Sequence, residues 1–236
     1  MLQYREYMAQ ALELARKGAG WVDPNPLVGA VVVSGGDGID LTGATVIDTL
    51  EPCCHVGSQP ACTALILAHG IARVVVGSVD PNPIVAGKGL RILEEAGVEV
   101  VRDVMREECD AINRHFFHYI TTGKPYIVDG RRRAGESDSE YAVRRRELYA
   151  TYAAVLAGTE SDVPDESFAH FNGPVQAVGA DEVVIGGHRP LLLEAGALAC
   201  TDPDEWLSEL GKRKIDGLIV ESDEAFERLS MACQKD

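Results

Sequence analysis

Pro52-Cys53 closes an apolar run, and a second cysteine, Cys62, stands where a helix begins just after Pro60. This pair constrains the fold more than any other feature of the chain. A strand end and a helix start that each carry a thiol bring two sulfurs to one place, and thiolates so placed suit zinc. A cysteine at a helix N-terminus is further favoured as thiolate by the helix dipole. Cys54 is the third cysteine of the same ten residues, a crowding that fits metal binding better than scattered packing thiols. Cys109, Cys200 and Cys233 read as packing or surface residues. The competing reading of Cys53 and Cys62 is a pair of buried thiols with no metal.

The surrounding pattern is α/β. Residues 3–17 place Tyr4, Met8 and Leu12 on one helical stripe. Asp23-Pro24-Asn25-Pro26 is a rigid turn, and Leu27–Val33 follows as a continuous apolar strand of the buried kind. Residues 44–50 form a second strand. Helices over 60–69 and 87–96 alternate with strands over 71–79 and 98–102, and a single long helix covers 103–120. A second Pro-Asn-Pro turn, Asp80-Pro81-Asn82-Pro83, follows the third strand. Such alternation predicts a layered domain whose strands end at a common edge, where ligands bind. A boundary falls at Gly123-Lys124-Pro125. Beyond it come strands over 126–128, 153–157, 181–187 and 216–221, with helices over 137–152 and 203–214.

At 236 residues the chain has room for one large domain or two small ones. No apolar run is long enough to cross a bilayer, and the N-terminus lacks a signal-peptide layout, so a cytoplasmic location is expected. The net charge of -15 argues against nucleic acid and anionic membranes as partners. Arg131–Arg133 and Arg144–Arg146 read either as a phosphate site or as a solvated basic face. Gly186-Gly187 before His188 is a weak phosphate-turn signal.

PNPLVGAVVV, GATVIDTLEPCCHVGSQPACTALI, GIARVVVGSVDPNPIVAGKGLRILEEAGVEV and INRHFFHYITTGKPY together resemble one family. It is the bifunctional pyrimidine deaminase/reductase family of riboflavin biosynthesis. SEYAVRRRELYATYAAVLAGT and LGKRKIDGLIVE resemble parts of its reductase half. The resemblance implies a cytidine deaminase-like three-layer α/β/α domain over 1–123, followed by a shortened reductase-like α/β segment over 124–236. It implies zinc-dependent deamination of a phosphoribosylated diaminopyrimidine, coupled to NADPH-dependent ribose reduction, in a homo-oligomer. Carried over by position, Cys53 and Cys62 match zinc ligands, while Asn25, His55, Asp80 and Asn82 match positions around the pyrimidine and ribose. The residues themselves leave His55 open between a contact and a loop histidine, and Asn25 and Asn82 open between contact and turn chemistry.

The chain departs from that family in four places. Zinc deaminases need an H-x-E element for the third ligand and the proton-carrying glutamate. Between Val33 and Ala44 the chain has SGGDGIDLTG, in which Asp37 and Asp40 are the only ionisable groups. The catalytic residues are therefore unassigned, and the sheet is expected to be one strand short. Cys54 or His55 is a substitute third ligand only if the chain bends there, since neighbours on a strand face opposite ways. Ser58 stands where the family carries a basic residue. Ser222-Asp223 stands where a Gly-Gly pair lets backbone approach a cofactor phosphate. The stretch after Tyr126 is shortened to Val128-Asp129-Gly130-Arg131. These departures describe a degenerate copy. They leave two alternatives to the enzyme: a catalytically impaired paralogue with a binding or assembly role, and a zinc-holding structural module.

Overall fold

In the computed structural model the described residues are 2–20, 22, 24–35, 40–56, 60–82, 85–152, 154–157, 191–194 and 202–233. They form two units, one of Met1–Gly18 with Leu27–Phe117 and one of Ala19–Pro26 with His118–Asp236. The expected strand over 181–187 and the Gly186-Gly187-His188 turn lie outside the described residues, as do Asp37 and Ser58.

The first unit contains α1 (Leu2–Arg16), β1 (Ala30–Val33), β2 (Thr45–Leu50), α2 (Cys62–Ala68), β3 (Arg73–Ser78), α3 (Lys88–Glu95), β4 (Glu99–Val101) and α4 (Arg106–Ile112). Its sheet has the order β1-β2-β3-β4. β2, β3 and β4 run parallel, and β1 lies antiparallel on β2 with Ala30 opposite Asp48. Strand alternation sends Val46, Val74 and Val76 to one face, where they meet Ile66 of α2 and Leu90 and Leu93 of α3. Ile47 and Val75 point the other way, onto Met8, Ala11 and Leu12 of α1 and Cys109 of α4. The result is the three-layer α/β/α arrangement.

Two expectations need correction. The strand at 27–33 is shorter than its apolar run and is not buried on both faces, for Val32 is 47% exposed. The reason is its place at the sheet edge, where one side has no neighbouring strand among the described residues. The single helix over 103–120 is instead α4 and α5 (Arg114–Thr122), broken at Asn113. Asn113 is fully buried and leaves helical geometry with φ -116°. Its side-chain oxygen accepts the Leu27 N–H at 2.7 Å, and its amide donates to the Leu27 carbonyl at 2.9 Å. That pair satisfies a buried backbone segment from a residue 86 positions away, a tertiary demand that outweighs local helix propensity.

The second unit contains β5 (Tyr126–Asp129), α6 (Asp138–Thr151), β6 (Ala154–Ala157), β7 (Leu191–Glu194), α7 (Pro203–Lys212), β8 (Gly217–Val220) and α8 (Asp223–Cys233). The four strands are parallel in the order β5-β8-β6-β7. Leu207 and Leu210 of α7 and Leu229 of α8 pack on Leu218 and Val220. Tyr149 of α6 covers Val128, Val155 and Ile219 on the opposite face. Ser137 caps α6 through a capping box with Glu140, and Asp202 caps α7 ahead of Pro203. β7 and α8 were not foreseen.

Candidate ligand site at the carboxyl edge of the first sheet

The parallel strands β2 and β3 end together, at Leu50-Glu51 and Ser78-Val79-Asp80. Glu51 is 4% exposed and is the organising residue of this edge. Its Oε2 accepts the N–H of Gly87 at 2.8 Å and of Asp80 at 3.3 Å, and its Oε1 accepts the N–H of Gly89 at 2.9 Å. One carboxylate thus ties the end of β3 and the start of α3 to the end of β2. Gly87 supplies the left-handed turn, φ 75°, that opens α3. A side chain on Gly89 would collide with the Pro52 carbonyl. Glu51 is therefore a framework residue with both oxygens engaged.

Beyond this frame, Cys53 and Cys62 come together with their sulfurs 3.2 Å apart. The Cys62 N–H donates to the Cys53 sulfur at 3.3 Å, and the Thr63 N–H donates to the Cys53 carbonyl at 3.1 Å. Cys53 is half-buried and Cys62 exposed, so the pair is not a buried relic. Burial first, and the neighbouring Cys53 second, push the Cys62 thiol up to about 11. Two thiolates on one tetrahedral zinc at about 2.3 Å would stand about 3.8 Å apart, roughly 0.6 Å more than the observed spacing. The donor set is nevertheless short. Among the described residues no group of three or more His, Cys, Asp or Glu side chains is placed to hold a metal. Cys54 and His55 do not complete one.

Asp80 is nearly buried, and burial raises its carboxyl above the ordinary value. The charge of Glu51 adds to the rise, while the Asn82 N–H and the charge of His55 oppose it. Asp80 Oδ1 accepts that N–H at 2.8 Å, and the Asn82 carbonyl accepts the N–H groups of Val85 and Ala86. His55, Asp80 and Asn82 thus share this edge with the thiol pair. Asn25 belongs to the second unit, where its side chain donates to the Val22 carbonyl at 2.9 Å. Sequence reasoning missed Asp48. It sits in mid-strand, 7% exposed, between Ala30 and Val76, and burial lifts its carboxyl to about 7. An aspartate inside an apolar strand was the available signal.

At the carboxyl ends of β5 and β8 the described residues pair with one another. Glu221 follows β8 and is gripped by Arg145 of α6, with Tyr149 donating to the same carboxylate. Arg131 joins Asp129 to Asp223 in the first turn of α8 and lies 4.0 Å from the Phe226 ring centroid. Arg144 is paired with Glu136. Arg131, Arg144 and Arg145 are thus committed to carboxylates, while Arg132, Arg133 and Arg146 are exposed, as a solvated basic face would have them. No helix among the described residues is long and apolar enough to cross a membrane.

Comparison with known proteins agrees with this architecture. The chain is 38% identical over 205 residues to the riboflavin biosynthesis protein RibD of Actinobacillus pleuropneumoniae, covering 72% of this chain and 54% of that protein. It is 41% identical over 165 residues to RibD of Bacillus amyloliquefaciens, covering 57% and 44%. The chain thus spans about half the length of these relatives. Among solved structures, the diaminohydroxyphosphoribosylaminopyrimidine deaminase/5-amino-6-(5-phosphoribosylamino)uracil reductase of Thermotoga maritima superposes with a TM-score of 0.73. It is 27% identical, with 97% of this chain and 83% of that one covered. RibD of Acinetobacter baumannii superposes at 0.62 with 25% identity, covering 93% and 80%. No protein-family model matches the chain.

Proposed function

Because the chain belongs to the family of the riboflavin biosynthesis protein RibD, we propose that it serves riboflavin biosynthesis by binding the phosphoribosylated diaminopyrimidine on its first unit. In this reading residues 1–123 are the deaminase-like domain and 124–236 a shortened reductase-like domain, in a homo-oligomer. The observation that carries it is the Glu51 frame, which holds the backbone amides of Asp80, Gly87 and Gly89 at the end of β2, next to the Cys53 segment. Within that frame Asp80, Asn82 and His55 are the residues proposed to orient the base and ribose. Burial raises the Asp80 carboxyl above its ordinary value, and its side chain is suited to hydrogen-bond a polar group of the base or ribose.

Zinc and NADPH are the cofactors that the family reading brings. Zinc would supply an activated water for hydrolytic deamination. Cys53 and Cys62 are ligands of the right kind, but two donors do not make the three-ligand site that a catalytic zinc requires. No deamination step is assigned through it. NADPH meets a second mismatch. Its phosphates need free backbone N–H groups or cations at a strand's carboxyl end. The first turn of α8 presents the Asp223 carboxylate there, Ser222 Oγ already accepts the Ala225 N–H, and Arg131 is committed to Asp129 and Asp223. The chain is thus read as a substrate-binding relative with weakened catalysis.

The test measures three things on one sample: zinc per chain, calorimetric binding of diaminohydroxyphosphoribosylaminopyrimidine, and ammonia release. Expected are saturable binding and a deamination rate at least about 10²-fold below that of an intact relative, the scale of a lost general acid/base. One tightly held zinc per chain with ammonia release at the relative's rate would overturn the weakened-catalysis reading. Absence of binding would overturn the pyrimidine site itself.

A further inference from the structure

We propose that Cys53 and Cys62 form a reversible dithiol–disulfide couple that closes within the chain when it meets a low-molecular-weight disulfide. Their sulfurs stand 3.2 Å apart, already in contact. A disulfide needs about 2.05 Å, so closure calls for an approach of roughly 1.2 Å. The local backbone can supply it. Cys53 lies in neither helix nor strand, and Cys62 is the first residue of α2, behind an N-cap, Ala61, that makes no side-chain capping bond. Cys62 is exposed, so a small disulfide reaches it from solvent. With no further donor gathered among the described residues, the two thiols lack the complete metal site that would otherwise mask them.

The exchange balances in two steps. One protein thiol displaces one half of the small disulfide R′SSR′, forming a mixed disulfide and releasing R′SH. The second thiol attacks the protein sulfur of that mixed disulfide, closes the Cys53–Cys62 bond and releases the other R′SH. Two S–H bonds and one S–S bond are consumed, and one S–S bond and two S–H bonds form. The protein is oxidised and the small disulfide reduced. The closed loop ties the segment carrying His55 to the start of α2. The couple stands whether or not the first unit binds a pyrimidine.

The experiment incubates the whole chain with oxidised glutathione, followed by alkylation and mass spectrometry, with zinc measured on the same preparation. The expected product is about 2 Da lighter than the reduced chain before alkylation, carries no glutathione, and takes up two fewer alkyl groups. Fragmentation should localise the two protected positions to Cys53 and Cys62. Oxidation should raise Tm by about 5 °C, as closure of a short loop restricts the unfolded chain. Dithiothreitol should reverse both changes. The Cys54→Ser chain, which keeps the pair, should behave identically, so the test does not hang on variants that lose either partner. A stable glutathione adduct, a linkage through Cys54, or a stoichiometric zinc that protects both thiols would overturn the proposal.

Discussion

Arg145 holds Glu221 with two near-parallel hydrogen bonds, Nε to Oε1 at 2.6 Å and Nη2 to Oε2 at 2.7 Å, and the glutamate side chain is 1% exposed. Tyr149 closes the triangle, its hydroxyl donating to Oε1 and accepting from Arg145 Nε. A charge sealed this way depends on its partner. Arg145→Ala is expected to destabilise the second unit by about 3–5 kcal/mol, because it strands a buried carboxylate. Arg145→Met with Glu221→Leu should recover most of that loss, since no charge is left behind. Urea denaturation of the two variants checks the order. Equal losses in both would mean that packing, not charge pairing, dominates.

Glu51 makes the corresponding prediction for the first unit. Glu51→Gln keeps the shape but offers one acceptor oxygen to three amides and turns an N–H₂ group toward at least one of them. Charge-assisted bonds contribute about 1.5–3 kcal/mol each, so a loss of roughly 2–4 kcal/mol is expected. Hydrogen exchange at the Gly87 and Gly89 amides should accelerate in the variant. Unchanged protection there would refute the framework role.

These two carboxylates also mark how much the sequence could reveal. Strand–helix alternation announced the layered α/β fold, and Cys53 with Cys62 announced a meeting of strand end and helix start, because both depend on local pattern. Asn113 did not announce itself, since its partner Leu27 is 86 positions away and nothing local marks the break. The edge position of β1 depends on which strands flank it, and a run of valines reads the same at an edge or a centre. Arg145 looked like one residue of a basic helix. Only the fold places it over Glu221.

NADPH should bind the unaltered chain poorly, with no fluorescence enhancement at concentrations up to about 100-fold above a typical micromolar Kd. Asp223→Gly combined with Ser222→Gly frees the first-turn amides of α8 and releases Arg131 from one of its two carboxylates. That pair of changes is expected to raise affinity at least tenfold, by removing a like charge from an anion's position. Saturable binding by the unaltered chain would show that the cofactor lies elsewhere.

Asp48 gives the pH prediction. Its carboxyl is raised by burial to about 7, well above the ordinary aspartate value, and its hydrogen bond from Leu50 N–H is long at 3.4 Å. The folded state therefore holds this proton more tightly than the unfolded chain does. Stability from this group is complete below the unfolded value and is lost as pH rises toward 7. Spread over that window, the loss is roughly 2–4 kcal/mol, taking about 1.4 kcal/mol per unit as the upper slope. Asp48→Val places an apolar side chain between Ala30 and Val76 and removes the titration. The variant should be more stable than the unaltered chain at pH 8, with a gap that narrows steadily as the pH is lowered and is smallest near pH 4. Chemical denaturation at four pH values measures the gap. If it stayed constant across the range, Asp48 would have to be charged throughout, and its burial would be compensated by a partner.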